Sequence, residues 1–61
     1  LTGTCPKLSF MVGESTKVNT SESTRFDDVR CDAIRDRMVV EVTGVRQSDG
    51  SINATEVEIE D

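Results

Sequence analysis

The C-terminal stretch VEVTGVRQSDGSINATEVEIED, residues 40–61, constrains the fold most tightly. It reads as two strands joined at Asp49-Gly50, a strong short-range hairpin signal that asks for positive φ at both turn residues. A two-residue turn sets Gln47 opposite Ile52, Val45 opposite Ala54, Val42 opposite Val57 and Val40 opposite Ile59. The apolar residues then do not keep to one face. Val40, Val42, Val57 and Ile59 share one side, whereas Val45, Ile52 and Ala54 share the other. Glu41, Glu56, Glu58 and Glu60 form a charged face that belongs in water. The expectation is a ribbon that bends sharply at Gly44, so that its buried side changes there with no slip in register and its halves serve two steeply packed sheets. The alternative leaves Val45 and Ile52 exposed at a loose tip.

A chain of 61 residues is one domain, and a single core at that length needs help. Such a core supplies only ~3–5 kcal/mol. The apolar fraction is 34%, with Phe10 and Phe26 as the only aromatics, so the core is thin and a staple is expected. Cys5 and Cys31 are the candidates. Two free buried thiols are the alternative reading. A zinc centre would need more ligands than two cysteines in a chain without histidine, and the spacing is not the C-x-x-C of a redox site. A Cys5–Cys31 bridge would be worth ~3.5 kcal/mol by chain-entropy arithmetic, and it implies an oxidising compartment.

Upstream, KLSFMV alternates Leu8, Phe10 and Val12 on one side, the pattern of a half-buried strand. TKVNT follows with Val18 facing in. Phe10 opposite Val18 and Val12 opposite Thr16 leave Gly13–Ser15 as a three-residue loop. SESTRF offers a short third strand ending on Phe26. In DDVRCDAIRDR, Asp27 or Asp28 could cap a helix with Val29, Ala33 and Ile34 on one face. An irregular loop held by Cys31 fits equally well. Three strands as a meander, at most one short helix and a two-strand hairpin is the order of an OB-type barrel. The expected fold is therefore all-β: a small five-stranded OB-like barrel, one domain over residues 1–61. The chain opens on Leu1, as a mature form or a domain cut from a longer protein would.

Function is bounded mainly by exclusion. Twelve acids against seven bases give a net charge of −5, which repels phosphate backbones and anionic lipid. No apolar run is long enough to span a membrane as a helix. Without histidine there is no Ser–His or Cys–His pair. Asp27-Asp28 and the Glu56/Glu58/Glu60 ladder are the only paired carboxylates of note, and a strand ladder of that kind is ordinarily a solvated face. Asp27, Asp28, Asp32 and Asp36 crowd one segment and Asp49 sits in a turn, but interleaved Arg25, Arg30, Arg35 and Arg37 neutralise them, and EF-hand spacing is absent. Asn19-Thr20-Ser21 and Asn53-Ala54-Thr55 are glycosylation triplets that matter only in a eukaryotic secretory context. No cofactor is expected.

Phe10, Val12, Gly13, Val18, the Thr24-Arg25-Phe26 triplet, and then Val40, Val42, Gly44, Gln47, Asp49-Gly50-Ser51, Ala54-Thr55, Val57 and Glu58 together resemble domain-of-unknown-function family 5666, a bacterial group. The opening Cys5-Pro6, Leu8, Phe10 and the later second cysteine are also similar to that group. The resemblance covers nearly the whole chain and is most specific in the hairpin. One departure stands out: where the family usually has a Gly-Asp pair before the fourth strand, this chain has Arg37-Met38. The resemblance implies an exported or envelope-associated bacterial protein, and it implies no activity or site residues. The expected role is a non-catalytic binding or structural module outside the cytoplasm. Its partner would be a protein or polysaccharide meeting the barrel wall or the loops Gly13–Ser15 and Asp27–Arg37. The other expectations are an OB-type binder of single-stranded nucleic acid or oligosaccharide, and a cation-dependent adhesion or stability module. The residues singled out are Cys5 and Cys31 for the bridge, and Gly44, Asp49 and Gly50 for the shape of the hairpin.

Overall fold

A computed structural model describes residues 1–59. Six strands run in the order β1 (Thr2–Thr4), β2 (Lys7–Val12), β3 (Thr16–Asn19), β4 (Arg25–Asp27), β5 (Val40–Arg46) and β6 (Ile52–Ile59). The class is all-β. The sheet is open, in the order β1-β2-β3-β6-β4 with β5 added to β6, so the closed five-stranded barrel expected from the element order does not form. Barrel closure would need the outer edge of β2 to pair with β5. Instead β1 occupies that edge at Ser9, Leu8 and Lys7. Beyond β1, among the described residues, the bonds to this edge come from Asp36 and Arg37, which reach Met11. β1 has no signature in the sequence, because its residues are all exposed and carry no apolar alternation.

The β2–β3 hairpin has the expected register, with Phe10 opposite Val18 and Val12 opposite Thr16. The expected meander stops there. β4 does not pair with β3. Both run parallel to β6 along one of its edges, β3 at Ile52 and Asn53 and β4 at Glu56, Val57 and Glu58. The hop between them is closed by buried hydroxyls. Thr24 Oγ1 donates to the Ala54 carbonyl at 2.7 Å and accepts from the Ser21 N–H at 2.9 Å. Thr20 Oγ1 accepts from the Leu8 N–H at 2.9 Å and donates to the Pro6 carbonyl. These bonds satisfy backbone groups that a break in the ladder would leave buried and unpaired.

The hairpin puzzle has a different solution from a bend. Gln47 N–H donates to Ser51 O at 2.7 Å and Gly50 N–H to Gln47 O at 3.0 Å, so the loop is three residues long, Ser48–Gly50. Only Gly50 in that loop has positive φ, at 90°; the positive φ expected at Asp49 is absent. This is a turn followed by a left-handed glycine, the usual three-residue hairpin loop. The longer loop shifts the near-turn register by one residue: Arg46 faces Ile52, Val45 faces Asn53 and Gly44 faces Ala54. A β-bulge then takes up Thr55, and beyond it Thr43 faces Glu56, Val42 faces Val57 and Val40 faces Ile59. The two irregularities cancel, so the far half of the ribbon has the register that a two-residue turn would also give. The buried side does not change. Ala54 and Val57, three apart, both face the core, while Val45 falls on the outer face and is 62% exposed.

Gly44 sits where the bulge presses the two backbones together. A Cβ there would lie 2.3 Å from Asn53 O and 2.9 Å from Ala54 Cα. The core on the inner face consists of Leu8, Phe10, Val18, Ile34, Val40, Ala54 and Val57, flanked by Val12, Phe26, Val29, Cys31, Met38 and Val42.

The segment between β4 and β5 forms one 3-10 turn, Cys31–Ala33, where the sequence allows a short helix of one or two turns or an irregular loop. Asp27 belongs to β4 and Asp28 has φ of 56°, so neither caps a helix. The segment is pinned too closely for one: Cys31 is bridged to Cys5, Ile34 is buried in the core, and Asp36 and Arg37 are bonded to Met11.

Replacing Gly44 by Ala would force a methyl group into backbone that cannot retreat without breaking the bulge. The expected cost is about 1–3 kcal/mol, the scale of overpacking, measured by denaturant unfolding. A variant as stable as the parent would show that the two strands do not approach closely there.

Candidate functional site

The strands and loops bring three groups of side chains to the surface. The first is the Cys5–Cys31 disulfide, which joins the β1–β2 turn to the 3-10 turn with Cα atoms 5.9 Å apart. Cys5 precedes Pro6 in that turn through a cis peptide bond. Gly44, Asp49 and Gly50 lie away from it, in the hairpin. Asp49 Oδ1 accepts from Ser51 N–H at 2.9 Å and Ser51 Oγ at 2.6 Å. Those bonds, the side-chain one first, hold its carboxyl below the ordinary value. Asp49 thus fastens the loop.

The second group is a depression of about 480 Å³ lined by Gly13, Glu14 and Arg37. It brings together the two loops nominated from sequence, Gly13–Ser15 and Asp27–Arg37. Arg37 has φ of 62°, and its N–H donates to Met11 O at 2.9 Å. The family's glycine at this position would take that left-handed conformation freely, whereas an L side chain there is strained. Arginine at this left-handed position therefore strains the loop. Next to it, Asp36 accepts from the Leu1 terminal ammonium and from Met11 N–H at 2.9 Å. These contacts, in that order, lower its pKa. A smaller depression of about 300 Å³ lies alongside, between Thr2, Ser9, Met11, Lys17 and Asp36.

The third group is the outer face of β4, β6 and β5. The parallel pairing of β4 sets Asp27, Glu58 and Glu41 in one row across three strands, with Arg25, Glu56 and Thr43 in the next. The sequence suggested a solvated ladder on the hairpin alone, because nothing in it revealed that β4 runs beside β6. Glu60 lies outside the described residues. Glu56 and Glu58 are half-buried. Arg25 Nε lies 3.5 Å from Asp27 Oδ2 and 4.0 Å from Glu56 Oε2. Exposed pairs of this kind contribute little. A hydrogen bond to Asp27, then desolvation, then the Asp27 charge raise the Glu56 pKa above its ordinary 4.5. Among the described residues, no three His, Cys, Asp or Glu are grouped to hold a metal ion. The aspartates are dispersed: Asp27 beside Arg25, Asp32 beside Arg30 at 3.5 Å, and Asp36 against β2.

The arrangement describes a small all-β domain with an internal disulfide, open surface depressions and a polar outer face. The chain belongs to the family described as Domain of unknown function (DUF5666), whose model matches residues 6–58. No curated protein and no solved structure matches it.

Arg37→Gly is expected to raise stability by about 0.5–1 kcal/mol, the left-handed strain removed less the entropy that glycine adds to the unfolded chain. Thermal unfolding of the two proteins checks this, and a lower midpoint for the variant would contradict it. Glu56 gives a pH signature. A carboxyl with a raised folded pKa stabilises fully below its unfolded value of 4.5, and that contribution is lost as pH rises through the folded pKa. Glu56→Gln should therefore flatten this step and be more stable than the parent at neutral pH, with the difference shrinking in acid. A variant that is destabilised most at neutral pH would contradict the shared carboxyl pair.

Proposed function

We propose that the chain is a non-catalytic binding or structural module of an exported bacterial protein, working outside the cytoplasm and engaging a protein or polysaccharide partner. The observation that carries this reading is the Cys5–Cys31 bridge, which closes the β1–β2 turn onto the one long irregular segment. A core of seven buried apolar residues is thin for a free-standing domain, and a disulfide is the common remedy in oxidising compartments. No helix of the described residues is long and apolar enough to cross a membrane. The depressions are open surface features lined by strand and loop residues, and the chain has no histidine to act as a general base. Single-stranded nucleic-acid binding draws less support. It relies on exposed aromatics over a basic groove. Here Phe10 is 2% exposed, Phe26 packs against the core and the chain is acidic.

Producing the chain with and without an export signal tests the reading. The exported form is expected to resist thiol labelling and to fold. Reduction should remove ~3.5 kcal/mol, most of the ~3–5 kcal/mol available to a domain this small. A reduced chain that is fully folded, labels at both cysteines and keeps its unfolding midpoint would overturn a compartment-dependent role.

A further inference from the structure

β5 is the longest strand with a free edge: among the described residues it pairs with β6 alone. Gln47 N–H donates to Ser51, and Thr43 O accepts from Thr55 Oγ1 at 3.1 Å, so the backbone groups of these odd-numbered residues face β6. By strand alternation, the N–H and C=O groups of Val40, Val42, Gly44 and Arg46 point away from it. Among the described residues no bulge or covering loop is bonded along that edge, two of the usual protections against pairing with another chain; the charged Glu41 and Arg46 are the protection it carries. At its two ends stand Val39 and Val45, 66% and 62% exposed; with Leu1 they are the large apolar side chains the fold leaves in solvent.

We propose that this edge is a homodimer interface, in which β5 of one copy pairs antiparallel with β5 of a second about a two-fold axis through Val42. The register follows from the side chains. Only pairings that oppose the outward-pointing even residues can form hydrogen bonds. Centring on Glu41 sets that carboxylate against its own copy, which like-charge repulsion disfavours. Centring on Thr43 places Glu41 against Val45. Centring on Val42 places Val39 of each copy against Val45 of the other, and Glu41 against Thr43. This register alone covers both exposed valines, and the two-fold does so twice. The result is one sheet continuous across two copies, the isologous arrangement that self-complementary edges produce. The inference is independent of where the protein works.

The contact is small. Two seven-residue strands and their flanking valines fall short of the ~1,200 Å² of stable complexes. The expected dissociation constant is accordingly about 10 µM to 1 mM. Each copy carries a net charge of −5, so added salt should tighten the dimer by screening repulsion.

Sedimentation equilibrium over a concentration series reaching ~1 mM tests the proposal, at low and high salt and on four proteins. The parent is expected to dimerise. Val39→Lys and Val45→Glu, both at exposed positions, are each expected to weaken association at least tenfold. The double variant Val39→Lys/Val45→Glu should recover it, because the Val42 register sets Lys and Glu against each other across the axis. Circular dichroism on each variant separates loss of dimer from loss of fold. A parent that is monomeric throughout overturns the proposal and leaves the edge to a strand of another protein. Dimerisation indifferent to either single substitution places the contact elsewhere and also overturns it. Loss in both single variants without recovery in the double overturns the Val42 register.

Discussion

The structure depends on β6, which carries every long-range pairing at once. β5 lies along one of its edges, and β3 followed by β4 lie along the other. For that to work, Ala54 and Val57 must both face the core although three residues separate them, which a regular strand forbids. The bulge at Thr55 supplies the extra half-step, and Gly44 makes room for it. Without the bulge, either Ala54 or Val57 would turn to solvent, and one of the two parallel pairings would lose its place against the core.

The other elements follow from that strand. Because β3 and β4 share one edge of β6, the chain between them must jog sideways within Thr20–Thr24, and two threonine hydroxyls take over the hydrogen bonds that the jog interrupts. The sheet does not close on itself, so the gap beside β2 is covered by the β4–β5 segment. Ile34 plugs the core, and the disulfide and the Asp36–Arg37 contacts fix the segment at either side. The left-handed backbone at Arg37 is a local strain accepted within that covering.

Much of this could be read from the residues, for identifiable reasons. Alternation in KLSFMV and the glycine loop after it specify the β2–β3 register. The far half of the last hairpin is equally legible, because Val40, Val42, Val57 and Ile59 repeat with period two. The near half misleads. Asp49-Gly50 signals a two-residue turn, yet Asp49 bonds Ser51 instead, lengthening the loop by one, and a compensating bulge has no side-chain signature of its own. Apolar residues that switch faces within a strand are as consistent with a bulge as with a bend, and glycine marks both. β1 was invisible because an exposed three-residue edge needs no pattern. The parallel pairing of β4 was hidden because it is a non-local choice, and with it went the row of Asp27, Glu58 and Glu41 and the raised Glu56 pKa. The left-handed backbone at Arg37 had a signal in sequence: the glycine that the family places there.

For function, the same geometry explains why the surface offers edges and faces in place of a cleft. Among the described residues, β6 gathers three neighbours, seven apolar side chains form the core, and the surface includes a polar sheet face, open depressions and the free edge of β5. The most direct test of this account is the pattern of cross-strand Hα–Hα contacts along the last hairpin in solution, read by nuclear Overhauser effects. The account gives contacts for Arg46–Ile52 and Gly44–Ala54 on one side of Thr55 and for Val42–Val57 on the other. An unbroken ladder with Gly44 facing Thr55 and Val45 facing Ala54 would contradict it.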